Sequence, residues 1–262
     1  MKKLVVILSL AMMALTACTQ QPEHRVKILA HRGNASTGKE FTTDENSLDA
    51  LRRAQELGVD GIEFDVHITA DNQLVIHHDN KIVPGLSCQG STFDEIRAHR
   101  LPFGHQIPTL REWLEQAKKT PEIKQLLEIK SHKQEGREAE IIRMSLEVIR
   151  ELDMLDQMYM LSFKTETLDE VLRQEPNMRV VYNSSSLHKS LPPAEVKERG
   201  YHSVSYNINV ILNHPEWIGE FQSYGIETFL WMVNSKYLYG LAKEWGFTWA
   251  TTDFYDEITR AE

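Results

Sequence analysis

The chain alternates short apolar runs with longer stretches in which apolar residues recur every three or four positions. Runs at 26–30, 61–66, 74–78, 126–129, 158–162, 178–182, 202–206, 228–233 and 248–251 predict strands. Between most of them lie SLDALRRAQELG, PTLREWLEQAKK, AEIIRMSLEVIREL and TETLDEVLRQEP, each with one apolar face of helical period. Asn46 or Ser47 can cap the first helix and Gly58 end it; Thr165 or Thr167 can cap another, which must stop before Pro176.

Strands alternating with helices pair in parallel, and this number of units predicts an α/β protein with a (β/α)8 TIM-type barrel. One stretch is irregular. Only eight residues separate Asp65 from Leu74, too few for a crossover helix, and the strand candidates number nine. The segment must run back down the barrel wall or turn in a hairpin at 70–72. Either route sets His78 beside Phe64.

The first residues predict the compartment. Lys2 and Lys3 precede the apolar run VVILSLAMMAL, and Leu-Thr-Ala-Cys ends at Cys18. The apolar run is shorter than the ~20 residues of a membrane span and reads as an export leader at 1–17. Cys18 within that tetrapeptide resembles a bacterial lipobox, which implies lipidation there and a tether at 18–25. The expected location is the cell envelope, on the periplasmic or outer-membrane side. Removing Lys2 and Lys3 with the leader moves the formal charge from -9 to -11. Such an acidic surface excludes nucleic acid and polybasic lipid docking. No linker interrupts 26–262, so one domain is expected. Cys88, the only other cysteine, cannot form an intrachain disulfide once Cys18 is acylated.

The chemistry is concentrated near the start of that domain. His31-Arg32, the pair Glu63 and Asp65, and His78-Asp79 each close an apolar run, and Glu128 and Lys130 close another. Catalytic groups of such barrels gather at the carboxyl ends of strands. Side chains at i and i+2 share a strand face, so Glu63 lies beside Asp65 and Glu128 beside Lys130. Three carboxylates from two strands suit Mg²⁺ or Ca²⁺ better than zinc. Arg32 and Lys130 are phosphate-binding candidates, and two imidazoles are proton-transfer candidates. These are the parts that metal-assisted phosphodiester cleavage needs.

In this order the motifs resemble the glycerophosphodiester phosphodiesterase family. The likeness continues through IPTLREWL at 107–114, LLEIK at 126–130, Ser162-Phe163, WMVN at 231–234 and the late TTDFY. It implies a glycerophosphodiester substrate, catalytic His31 and His78, a metal held by Glu63, Asp65 and Glu128, and Trp231 among the substrate contacts. The family's histidine precedes an aspartate, which selects His78 over His77. Attack by the glycerol 2-hydroxyl, with one histidine as base and the other as acid, would give sn-glycerol 3-phosphate and a free alcohol. Departures lie elsewhere: a long 33–45 loop, NKIVPGLSCQG after His78-Asp79, Met232, and Tyr255. They bear on substrate choice. Alternatives are a phosphatidylinositol-type phospholipase C, a sphingomyelinase-D-like lyase, and a non-catalytic anion-binding lipoprotein. Against the first, this chain has no long apolar or basic membrane-contact stretch beyond the leader; against the second, it cannot form the disulfide-stapled loops associated with such lyases, having Cys88 alone free.

Overall fold

The structure is a computed structural model and describes residues 25–259. The leader at 1–17 and Cys18 lie outside the described residues. Eight parallel strands form the barrel: β1 Lys27–Ala30, β2 Gly61–Ile68, β3 Lys124–Ile129, β4 Met158–Ser162, β5 Arg179–Ser184, β6 Ser203–Asn207, β7 Glu227–Trp231 and β8 Trp249–Thr252. Each pairs with its sequence neighbours, and β1 pairs with both β8 and β2, so the sheet closes.

The ninth strand candidate is explained by β2. It runs on past the barrel rim to Ile68, and Leu74–Ile76 folds back antiparallel on that extension, with Val66 opposite Ile76 and Ile68 opposite Leu74. The hairpin route is therefore the one taken. His78 is reached by a strand returning from above, where the strand-end reading had it at the end of a barrel strand. The crossover helix of this unit, Leu110–Ala117, comes only after a long excursion.

Strand alternation divides the apolar residues into two cores. Leu29, Leu126, Tyr159, Leu161, Val181, Phe229 and Trp249 fill the barrel interior, as a packed barrel requires. The Phe229 and Trp249 rings stack at 5.3 Å. Gly61 makes room for this filling, since a Cβ there would sit 2.6 Å from Leu29 Cδ1. The outward residues, with Phe64 stacked on Trp113 at 4.8 Å, join the barrel to its helices.

Local signals set the helix ends. Ser47 caps Leu48–Leu57 by accepting from the Ala50 N–H at 3.1 Å, and Gly58 closes it in the left-handed conformation. Thr109 and Glu112 form a capping box on Leu110–Ala117. The expected cap at Thr165 or Thr167 is corrected: Lys164 holds the N-cap position of Thr165–Gln174 without a side-chain bond. Thr167 instead gives its hydroxyl to Glu138, a charged acceptor on the preceding helix. Among the described residues no helix is long and apolar enough to cross a membrane.

Candidate active site

A cavity of about 230 Å³ opens at the carboxyl end of the barrel. His31, Arg32, Glu63, His78, Glu128, Lys130 and Trp231, all singled out from the sequence, line it. Asp65 sits behind them, 1% exposed. Glu63, Asp65 and Glu128 offer oxygens that all lie within 4.8 Å of one another. The register explains the meeting: Asp65 on β2 pairs directly with Glu128 on β3.

The turn after β1 is built for this cluster. Arg32 has φ 53° and Gly33 φ 78°, so the chain folds over the end of β2. A non-glycine residue in that region carries roughly 1–2 kcal/mol of strain. In return, the Arg32 N–H donates to Glu63 Oε2 at 3.0 Å, and the Gly33 N–H donates to the Glu63 carbonyl at 3.2 Å. A side chain at position 33 would meet Ala50 Cβ at 2.8 Å, so glycine alone suits the turn.

The acidic cluster is electrostatically unbalanced. Lys130 Nζ lies 3.1 Å from Asp65 and 2.9 Å from Glu128, and these anions push its pKa up to about 12 against the opposing effect of burial. Burial alone would raise Asp65, but Lys130, His78 and an amide bond from Asn46 hold it below the usual carboxylate range. Among the described residues no lysine or arginine side chain bonds Glu63. Burial, then the neighbouring Asp65 charge, push it up to about 8. Glu128 is raised by the same two causes. Crowding therefore makes both carboxylates hold protons more tightly than usual, and a divalent cation would relieve that crowding. Three hard oxygen donors with surplus negative charge fit Mg²⁺ or Ca²⁺ well.

The two histidines are poised in opposite senses. His31 Nδ1 is 2.6 Å from Asp253 Oδ1, and its Nε2 faces Glu63 Oε2 at 3.9 Å. Burial works to lower His31, yet the Asp253 bond and the Glu63 charge outweigh it and raise the pKa. His78 Nδ1 bonds the Asp79 carboxylate at 2.9 Å. Burial dominates there and lowers its pKa. In both rings a carboxylate holds Nδ1, which leaves Nε2 for chemistry. His77 faces away, into a neighbouring depression lined by Phe41, Asp44 and Phe103.

Several partners have no role in the sequence reading. Asp253, at the end of β8, is itself fixed by Asn234, whose amide donates to its Oδ2 at 2.7 Å. The TTD segment was the available signal, but nothing in it points to His31. Glu45 pairs with Arg32 at 3.0 Å. Asn46, expected as a helix cap, instead donates to Asp65 Oδ2 at 2.8 Å while its carbonyl accepts from the Asp65 N–H. Trp231 gives its indole N–H to the Ser205 carbonyl at 3.2 Å. It therefore meets the cavity with apolar surface and stands edge-on to Phe163.

Comparison with known proteins shows the family to which this barrel is similar. A sequence model of the Glycerophosphoryl diester phosphodiesterase family matches residues 31–257. A glycerophosphodiester phosphodiesterase of Caldanaerobacter subterraneus subsp. tengcongensis is 27% identical over 224 residues, covering 80% of this chain and 86% of its own. The crystal structure of a glycerophosphodiester phosphodiesterase from Parabacteroides distasonis is 33% identical, with a TM-score of 0.82 over 90% of this chain and 96% of that one. A phosphodiesterase of Oleispira antarctica, solved with the product sn-glycerol-3-phosphate, shares the fold at 21% identity and a TM-score of 0.74, over 88% and 94% of the two chains.

Proposed function

The chain belongs to the glycerophosphoryl diester phosphodiesterase family, and from that premise we propose that it cleaves glycerophosphodiesters by metal-dependent, paired-histidine catalysis. The products are sn-glycerol 3-phosphate and a free alcohol. The observation that carries this reading is the cluster of three carboxylates, within 4.8 Å of one another, sharing a cavity with two histidines of opposite pKa tendency.

Glu63, Asp65 and Glu128 would hold one Mg²⁺ or Ca²⁺, which when bound supplies Lewis-acid polarisation of a phosphoryl oxygen. Arg32 and Lys130, both on the cavity wall, neutralise the remaining phosphate charge. His78, neutral at physiological pH, takes the proton of the glycerol 2-hydroxyl on Nε2. The freed oxygen attacks phosphorus, and the bond from phosphorus to the alcohol oxygen breaks. His31, protonated through its bond to Asp253, hands its Nε2 proton to that oxygen. Water then opens the cyclic phosphate with the proton roles reversed: His31 receives a proton and His78 returns one. Trp231 and Phe163 supply an apolar wall that keeps the local dielectric low.

The deciding experiment is release of glycerol 3-phosphate from a panel of deacylated phospholipids, with and without chelator. The expected outcome is metal-dependent release. Release of diacylglycerol from phosphatidylinositol, with no turnover of the panel, would replace this reading with a phospholipase C.

Export follows from the leader, and we assign Cys18 as the lipidated residue that anchors the enzyme to the cell envelope. The motif of Lys2, Lys3, the apolar run and Leu-Thr-Ala-Cys supports it. One acyl chain binds only marginally, so stable anchoring calls for several on this residue. Cys18→Ser should abolish metabolic labelling by palmitate and release the protein from the membrane fraction. Retention without label would show that another surface anchors it.

A further inference from the structure

The wall of the cavity opposite the carboxylates contains an unsatisfied polar group. Asn183 on β5 is 7% exposed, lines the cavity, and its Oδ1 has no hydrogen-bond partner among the described residues. Its register partner on β6 is Ser205, which lines the same cavity. The indole N–H of Trp231, which lines the same cavity, is already given to the Ser205 carbonyl and does not serve the amide. A buried polar group left without a partner costs about 1–3 kcal/mol.

Folding does not demand an amide here. Val181, two residues earlier on the same face of β5, packs into the barrel interior as an apolar side chain. An aliphatic residue at 183 would continue that filling without the penalty. Buried polar groups in native structures have partners, and an exception calls for one. The partner of Asn183 is thus expected inside the cavity, from something that enters it.

We propose that Asn183, with Ser205 beside it, binds the primary hydroxyl of the substrate's glycerol half. This rests on the glycerophosphodiester reading above. The 2-hydroxyl must reach the side of His78 and the carboxylates to react, which leaves the primary hydroxyl to extend across the cavity. The floor it passes is apolar, formed by Leu29, Leu126 and Leu161. The Asn183–Ser205 pair is the polar group on the wall beyond. An amide offers both a donor and an acceptor, so it can satisfy a hydroxyl in either sense. The leaving alcohol, by contrast, departs towards solvent and needs no such partner. Asn183 is a specificity residue on this assignment: it selects a glycerol half over an alkyl one.

The test compares two phosphate monoesters that differ by that hydroxyl alone, 3-hydroxypropyl phosphate and propyl phosphate. Dissociation constants are measured by calorimetry with Mg²⁺ present, for the native enzyme, Asn183→Leu and Asn183→Ala. The native enzyme should prefer the hydroxylated ester by about 5- to 10-fold, the worth of one net hydrogen bond. Both variants should lose the preference while still binding propyl phosphate. The comparison within the native enzyme needs no variant to fold, and the two variants differ in the volume they leave. Equal affinity of the native enzyme for the two esters overturns the proposal, as does a preference that survives in both variants. If the native enzyme binds neither ester and releases no glycerol 3-phosphate, the hydrolase reading fails first and takes this assignment with it.

Discussion

The two halves of the barrel mouth are unlike. Strands β1 to β3 and the hairpin contribute His31, Arg32, Glu63, Asp65, His78, Glu128 and Lys130, so nearly every charge is on one side. Strands β4 to β7 contribute Leu161, Phe163, Asn183, Ser205 and Trp231, with no ionisable group. The charged half can move protons and hold a cation, but seven ionisable groups at close range disturb one another. The neutral half keeps water and stray charge away, which strengthens the interactions opposite. Reactivity and selection are separated in space. The one exception is Asp253, which holds His31 from the end of β8, the strand next to β1.

That division can be broken most severely on the charged side. Exhaustive chelation should abolish turnover, and Mg²⁺ or Ca²⁺ should restore it. Full activity in protein shown metal-free by elemental analysis would remove Glu63, Asp65 and Glu128 from the mechanism. Next come the histidines. His31→Ala and His78→Ala should each lower kcat by about 10²- to 10⁴-fold, non-additively in the double variant. His77→Ala, one residue away and facing the other depression, should stay within a few-fold of the native rate. If His77→Ala were the inactive variant, the assignment of faces would be wrong.

Asp253→Asn probes the contribution of the neighbouring strand β8 to the charged half. Asp253 raises the His31 pKa against the effect of burial, so removing its charge should lower that pKa. His31 must be protonated to act as acid, and activity is lost as pH rises through its pKa. The alkaline limb of the kcat/KM profile should therefore move to lower pH, while the acid limb, set by His78, stays in place. An unmoved alkaline limb would give that limb to another group. The neutral half should show the smallest effect. Trp231→Ala removes apolar contact rather than a charge, and about a tenfold loss in kcat/KM is expected, in line with 1–2 kcal/mol of buried apolar surface. It should fall mainly on KM. A loss as large as that of the histidine variants, in protein of unchanged melting temperature, would put chemistry in the neutral half.

The same division governs what could be read from the chain. Seven of the charged residues of the first half come from short motifs ending apolar runs, and Glu45, from the loop after β1, does not. Strand periodicity alone then places Glu63 beside Asp65 and Glu128 beside Lys130. Asn46 was legible as a polar residue before a helix, but its choice between capping and Asp65 depended on where β2 arrives in space. Thr167 likewise left its expected capping role because Glu138, from another helix, came within reach. The nine strand candidates against eight barrel positions marked an irregularity correctly, and the antiparallel register of the hairpin resolved it.

Sequence by itself determined the alternation of strands and helices, the identity of the reactive groups and the face each strand turns inward. These depend on neighbours two to four residues apart, whose geometry the backbone dictates. Tertiary structure decided which groups meet across the closure. His31 and Asp253 are separated by 222 positions, and only the pairing of β1 with β8 brings them to 2.6 Å. It also decided the balance of charge: the opposite tendencies of His31 and His78, and the raised pKa values of Glu63 and Glu128. Those follow from burial and through-space distance, and neither quantity is carried by order along the chain.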